Sequence, residues 1–429
     1  MSASYVESET LLDRALNVIP LGAQTFSKSI TQLPRGVSPF FATRAKGQKV
    51  WDADGNAYVD FVNALAAITI GHADPEITAA AERQMQNGTI FSLSHPLEAE
   101  VAERIVAMVP CAEMVRFGKN GSDATAGAIR IARAYTGRDY VLACGYHGWQ
   151  DWYIGATLRH RGVPEAVRAL THTFPYDDLP ALEAKLDALD GKVAAVILEP
   201  MNARLPSDGY LAGVRALTER RGVVLVFDET ITGFRFANGG AQERFGVTPD
   251  LATFGKGLAN GWPLAAVAGR RDLMREMEEI FFSFTMGGEA VSLAAARAVL
   301  DKLIREPVLA SLAARGGEIV AGLASLIERH GSADFLSVSG DPTWSFFNIA
   351  EAEGAETLEI KTLWMQEMLA RGILTLGTHN VSYAHGADDV AALLAAYDET
   401  LSVVVPAVRG GAVCDSLRCE PLRPLFRIR

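Results

Sequence analysis

The chain has 429 residues, 49% hydrophobic and 21% charged, enough to bury a large core and to fold as two domains. Its formal net charge of −11 and pI near 5.3 argue against nucleic acid or an anionic membrane surface as the main partner, while leaving room for a local basic pocket. No N-terminal stretch reads as a signal peptide and no apolar run approaches the ~20 residues that span a bilayer, so the expected location is the cytoplasm.

In chain order, an amphipathic helix is predicted near Glu7–Asn17, ended by Pro20. The strip GAQTFSK, Gly22–Lys28, reads either as a linker or as a segment from which Lys28 reaches an anionic substrate. GQKVWDADGNAYVDF alternates around Asp54–Gly55 as a hairpin does, and residues 1–74 are expected to form part of a small domain. Helices follow over Pro75–Asn87 and after FSLSHPLE. An α/β alternation then begins, and 75–305 is expected to be the large domain.

Its first strand, Met114–Phe117, leads through GKNGSDA into a helix running through Ile129–Tyr135. Gly121 and Ser122 fall at that helix N-terminus, where free amides favour a phosphate, although a serine there is as easily a plain cap. The strand Tyr140–Ala143 ends in GYHGWQDW, in which Tyr146 is the candidate for stacking on a cofactor ring and His147 for a supporting group; core packing is the alternative for Trp149 or Trp152. Val193–Leu198 delivers Glu199 and Asn202, the latter placed to hydrogen-bond a phenolic oxygen.

Val223–Phe227 delivers Asp228 and Glu229, and Leu251–Phe254 delivers Lys256. Short apolar runs of this kind suit buried parallel strands, whose carboxyl ends hold the chemistry of open α/β sheets. An amine and a carboxylate meeting there suit pyridoxal 5′-phosphate (PLP), with Lys256 joining the cofactor aldehyde and Asp228 facing the pyridine nitrogen. The plainer alternative makes Asp228 a helix cap and Lys256 a solvated loop residue. A phosphate-loop reading of GKG is poorer, since Asp250 stands at the first glycine and Gly257 where Ser or Thr is needed.

After a strand at Leu264–Ala268, FFSFTMGGEA, Phe281–Ala290, turns into an Ala-rich helix, and Thr285 offers an anion its hydroxyl and amide. From Glu306 the pattern gives helix Val308–Glu328, strand Thr343–Ile349, helix Thr357–Arg371, strand Ile373–Leu376 and helix Asp388–Val405. Residues 306–429 are expected to complete the small α+β domain, with an Arg- and Pro-containing tail from Gly410 as an arm or interface. Cys111, Cys144, Cys414 and Cys419 are too sparse for a disulfide scaffold, and no histidine spacing supports a metal site.

Together WDADGNAYVDF, HADPEI, GKNGSDATAGAIRIARAYTGRD, GYHGW, ILEPM, VVLVFDETITGFR, PDLATFGKGLANGWPLAAVAGR and FTMGGEA resemble a class III aminotransferase of PLP fold type I, in the glutamate-1-semialdehyde aminomutase-like branch. The resemblance implies a PLP-binding domain with a mainly parallel seven-stranded sheet, a small domain made from both chain ends, and a homodimer. By motif position it makes Lys256 the cofactor-linked lysine and proton carrier, Asp228 the partner of the ring nitrogen, Tyr146 the stacking ring and Gly121 with Ser122 the phosphate cup. Thr285 would then reach the phosphate held by the neighbouring subunit. It also implies ping-pong exchange between an amino donor and a carbonyl acceptor.

Three departures bear on the substrate. The long Gly/Ser-rich gating loop that follows the YHG motif in the aminomutases is short here, Lys28 stands where an Arg is expected, and GTHNVSY carries His379 and Asn380 in place of a substrate-facing Glu. These favour intermolecular transamination over isomerisation, and L-glutamate is the expected donor. GAQTFSKS and FFSFTMGGEA further resemble amino-sugar and surface-polysaccharide enzymes, which would make a sugar or sugar acid the acceptor, with Lys28, His379 and Asn380 as contacts. The alternatives are a glutamate-1-semialdehyde 2,1-aminomutase and, from another class, a non-catalytic binding protein on the same scaffold.

Overall fold

A computed structural model describes residues 4–423; the last part of the tail, 424–429, lies outside the described residues. The chain divides into two compact units, one holding residues up to Leu65, Thr69–Asp74 and Ala310 onward, the other Ala66–Ile68 and Pro75–Leu309.

The larger unit is built on seven strands: β1 (Met114–Gly118), β2 (Tyr140–Cys144), β3 (Thr171–Thr173), β4 (Val193–Leu198), β5 (Val224–Asp228), β6 (Leu251–Phe254) and β7 (Ala265–Gly269). Their order is β1-β7-β6-β5-β4-β2-β3, and β7 alone runs antiparallel to its neighbours. Every residue of β4 and β5 is buried, because helices cover both faces and an unbroken Val/Ile/Leu run has no wet side to satisfy. Two clusters hold the layers together, one with Ile129, Val141, Ile197, Val226 and Leu251, the other with Leu142, Val196, Leu211, Val214 and Leu225. The fold is α/β with a mainly parallel seven-stranded sheet, the architecture that the resemblance implies. Its edge strand β3, polar and three residues long, has no counterpart among the expected strands.

Strand register decides which residues share the sheet's carboxyl edge. Cys144 pairs with Leu198, Leu198 with Phe227 and Asp228 with Thr253, so Gly145, Glu199, Asp228 and the chain leading to Lys256 emerge along one edge of the sheet. Helix α1 (Gly121–Thr136) follows β1 and is capped by a reciprocal Asn120–Asp123 box.

In the smaller unit the two chain ends share a sheet, in which Ile373 pairs in parallel with Val59 beside the strands Lys49–Asp52 and Ala42–Lys46. A second sheet joins Leu336–Asp341, Trp344–Ile349 and Thr378–Asn380. Two helices correct the expectation about apolar length. Val308–Arg329 and Ala387–Arg409 are long and apolar enough to cross a membrane by length and composition, because Ala, Leu and Val dominate them and charged residues are few. Both also bury core residues, Leu312, Ile319 and Leu323 on one and Leu393, Tyr397 and Leu401 on the other.

Candidate active site

The strand-end cluster centres on Asp228, 5% exposed. One carboxylate oxygen accepts the amide and hydroxyl of Thr230 at 3.1 and 2.6 Å and the hydroxyl of Thr253 at 3.2 Å, and the other meets His147 Nδ1 at 2.8 Å. Burial alone would raise this carboxyl, but His147 and Thr230 outweigh it and hold it below its ordinary range. His147 Nε2 faces the carbonyl of Cys144 at 3.1 Å, so that nitrogen carries a hydrogen. The His147–Asp228 bond likewise needs a hydrogen between its two atoms, since two bare lone pairs would repel. The helix-cap alternative for Asp228 does not describe this arrangement.

Lys256 stands just past β6 in a left-handed backbone conformation, φ +45°, a strained position for a side chain of its size. Burial pushes its amine down, aided by the buried Arg235 guanidinium and opposed by Glu199 and Asp228. A larger share of free amine at neutral pH results, which is what a nucleophile and proton carrier needs.

Glu199 does more than its neighbourhood in the sequence suggests. One of its oxygens accepts the amide of Tyr146 at 3.1 Å and the side-chain amide of Asn202 at 2.9 Å, so a single carboxyl positions both residues. Burial, then the nearby charge of Asp228, raises it to about 7. Gly145, at φ +106°, is required here, because a Cβ would lie 2.3 Å from the same Glu199 oxygen. Tyr146 itself is 48% exposed, with Tyr153 meeting it edge-on at 5.7 Å, so its ring stands at the edge of the cluster with surface to spare. Of its neighbours, Trp152 packs into the core while Trp149 is 68% exposed.

The amides of Gly121 and Ser122 open α1 and donate to no protein acceptor among the described residues. Gly148, at φ +103°, passes so close that a Cβ would fall 2.3 Å from Ser122 Oγ. Free amides at the head of a 16-residue helix, a depressed lysine and a buried anionic aspartate fit a phosphorylated pyridine aldehyde. Gly121 and Ser122 would take its phosphate, Asp228 its ring nitrogen, Tyr146 its face, Asn202 its phenolic oxygen and Lys256 its aldehyde.

Thr285 is exposed in the segment before helix α2 (Ala290–Arg305), between the exposed Phe281 and Met286. In the smaller unit Lys28 is exposed beside a cleft of about 400 Å³ walled by Leu33, Phe40, Phe41, Leu374 and Leu376. His379 and Asn380 do not suit the substrate contacts expected of them. His379 is 0% exposed, its ring nitrogens bonded to Ser345 at 3.0 Å and Tyr397 at 2.8 Å, and Asn380, 3% exposed, donates to the carbonyl of Val62 at 2.7 Å. Both belong to the short strand Thr378–Asn380, whose last two residues are covered on either face. Sequence reasoning does not single out Thr230, Thr253 or Arg235; Thr230 and Arg235 lie in the ETITGFR run after Asp228, a signal that could have drawn attention to them.

Residues 32–384 match the family model described as aminotransferase class III. The chain is 33% identical over 407 residues to the 3-aminobutyryl-CoA aminotransferase of Cloacimonas acidaminovorans, covering 92% of this chain and 97% of that one. It is 37% identical over 393 residues to the glutamate-1-semialdehyde 2,1-aminomutase of Syntrophobacter fumaroxidans, covering 85% and 89%. Among solved structures, the PLP form of the FumI protein of Sphingopyxis sp. MTA144 superposes with a TM-score of 0.88 at 31% identity, covering 97% of this chain and 99% of that one. Fold and kinship therefore agree: the chain belongs to the class III aminotransferases and works with pyridoxal 5′-phosphate.

Proposed function

We propose that this enzyme transfers an amino group from L-glutamate to the carbonyl of a second small molecule and releases both products. PLP supplies an aldehyde for the incoming amine and a conjugated ring that takes up the electron pair left when the substrate's C–H bond breaks. Lys256, held partly as free amine, carries that proton between the substrate carbon and the cofactor. Asp228, kept anionic by His147, Thr230 and Thr253, keeps the ring nitrogen protonated. Glu199 fixes Tyr146 and Asn202, the residues that would hold the face and the phenolic oxygen of the cofactor.

The observation that carries exchange over isomerisation is the stretch after His147. It turns at once into the short helix Asp151–Ile154, whose Trp152 and Tyr153 are buried, and residues 155–164 alone separate this from the helical turn Glu165–Arg168, which supports a site without the aminomutases' long gating loop. For the acceptor, the sugar reading has lost His379 and Asn380, both buried in hydrogen bonds inside the smaller unit. An amine β to an acyl group, as in the name of the Cloacimonas relative, is the acceptor product we favour. A homodimer, with Thr285 turned toward the partner's cofactor phosphate, completes the reading.

The test is an absorbance spectrum of the purified holoenzyme with L-glutamate, followed by 3-oxoacyl thioesters, carbonyl sugars and glutamate-1-semialdehyde as acceptors. A spectral change with glutamate that a 3-oxoacyl compound reverses is expected. Rapid conversion of glutamate-1-semialdehyde, with no exchange with an external partner, would replace this reading by the aminomutase, which 37% identity to the Syntrophobacter enzyme favours.

A further inference from the structure

Away from the strand-end cluster, the larger unit holds a cavity of about 230 Å³ where the turn after Asp151–Ile154, the helical turn Glu165–Arg168, edge strand β3 and the helix Leu179–Ala188 meet. His160, Arg168, His172 and Lys185 line it and no carboxylate does, in a chain of net charge −11. None of the four pairs with an acid among the described residues. Arg168 Nε and His172 Nε2 are buried and make no hydrogen bond among the described residues. Buried donors are rarely left unpaired, since desolvation without a partner is costly.

The groups are also held in place. Gly155 brings the chain against the arginine stem, so that a Cβ there would lie 3.1 Å from Arg168 Cγ. Tyr140 stacks on His172 with centroids 5.8 Å apart and planes at 29°. Thr173 lines the same space.

We propose that this cavity binds a phosphate group. A doubly charged oxyanion matches the arginine and the lysine, which lack counter-charges, and its several oxygens can accept from the neighbouring imidazoles as well, whereas a carboxylate carries half that charge and fewer acceptor oxygens. The phosphate is either the free ion or the end of a small phosphorylated molecule, and the site does not depend on the identity of the amino acceptor.

The test is a thermal shift and calorimetric titration of the holoenzyme, in which the Gly121 and Ser122 amides are already engaged by the cofactor. Inorganic phosphate and glycerol phosphate are compared with chloride at constant ionic strength. Saturable binding at millimolar phosphate is expected, weakened roughly tenfold or more in Arg168→Gln or His172→Gln, the size of one charge-assisted hydrogen bond. The cofactor absorbance should stay unchanged. Binding of both ligands would assign the site to phosphoryl groups in general, and binding of the inorganic ion alone to free phosphate. Lys185→Gln, on a partly exposed helical position, serves if the buried variants do not fold. No saturable effect beyond chloride, or equal phosphate affinity in Lys185→Gln and Arg168→Gln and the parent, overturns the proposal.

Discussion

The carboxyl edge of the large sheet and the core of the smaller unit each bury a histidine, and the two rings serve opposite ends. His147 lies between a carbonyl and the carboxylate of Asp228, so its burial comes with a charged partner at the site. His379 lies between the hydroxyls of Ser345 and Tyr397, and burial without a counter-charge pushes it down to about 3, leaving it neutral. Burial alone therefore says little about function. The charge of the partner decides whether a buried ring is chemistry or packing.

The largest expected effect separates the two regions. Lys256→Ala should lower transamination by about 10²–10⁴-fold or more, as loss of a proton carrier does, with the fold intact by circular dichroism. Asp228→Asn, nearly isosteric, should cost about 10²–10³-fold through lost electrostatic stabilisation. His147→Gln should cost about 10–100-fold, the range for a residue that acts through another. His379→Gln should leave the rate within about twofold and lower the unfolding temperature instead. Equal rate losses in His147→Gln and His379→Gln would erase the distinction.

A smaller effect sharpens it. In Gly148→Ala the new Cβ would meet Ser122 Oγ at 2.3 Å, on a backbone at φ +103° that disfavours side chains. PLP dissociation followed by absorbance should quicken in that variant, while unchanged retention would detach Ser122 from the cofactor.

The smallest effects are in pH and have opposite signs. His379 has a lowered folded-state value, so its contribution to stability is complete above the ordinary 6.5 and is lost as pH falls toward about 3. Glu199 has a raised value, so its contribution is complete below the ordinary 4.5 and is lost as pH rises toward about 7. Urea midpoints across pH, with the cofactor dialysed out, should show His379→Gln and Glu199→Gln flattening opposite limbs, each by at most about 1.4 kcal/mol per pH unit. Flattening of the same limb by both would contradict these assignments.

Much of the fold and of the candidate site is legible in the sequence because the strands of the large sheet are continuous apolar runs that end in charge. Val193–Leu198 and Val224–Asp228 announce both their burial and their site residues. The short polar strand Thr171–Thr173 is not legible, since one parallel neighbour is all that makes it a strand. The pairing of His147 with Asp228 spans 81 residues, and that of Thr253 depends on register, neither of which has a local signal. His379 and Asn380 mislead because a polar pair near the family's substrate-facing position looks like a site until the packing on both faces of a three-residue strand buries it.

The most direct test of the central claim is borohydride reduction of the PLP-loaded enzyme followed by peptide mass mapping. The account predicts a single pyridoxyl addition, on the peptide carrying Lys256, and none in Lys256→Ala. Addition at another lysine, or no addition in an enzyme that still turns over glutamate, would contradict it.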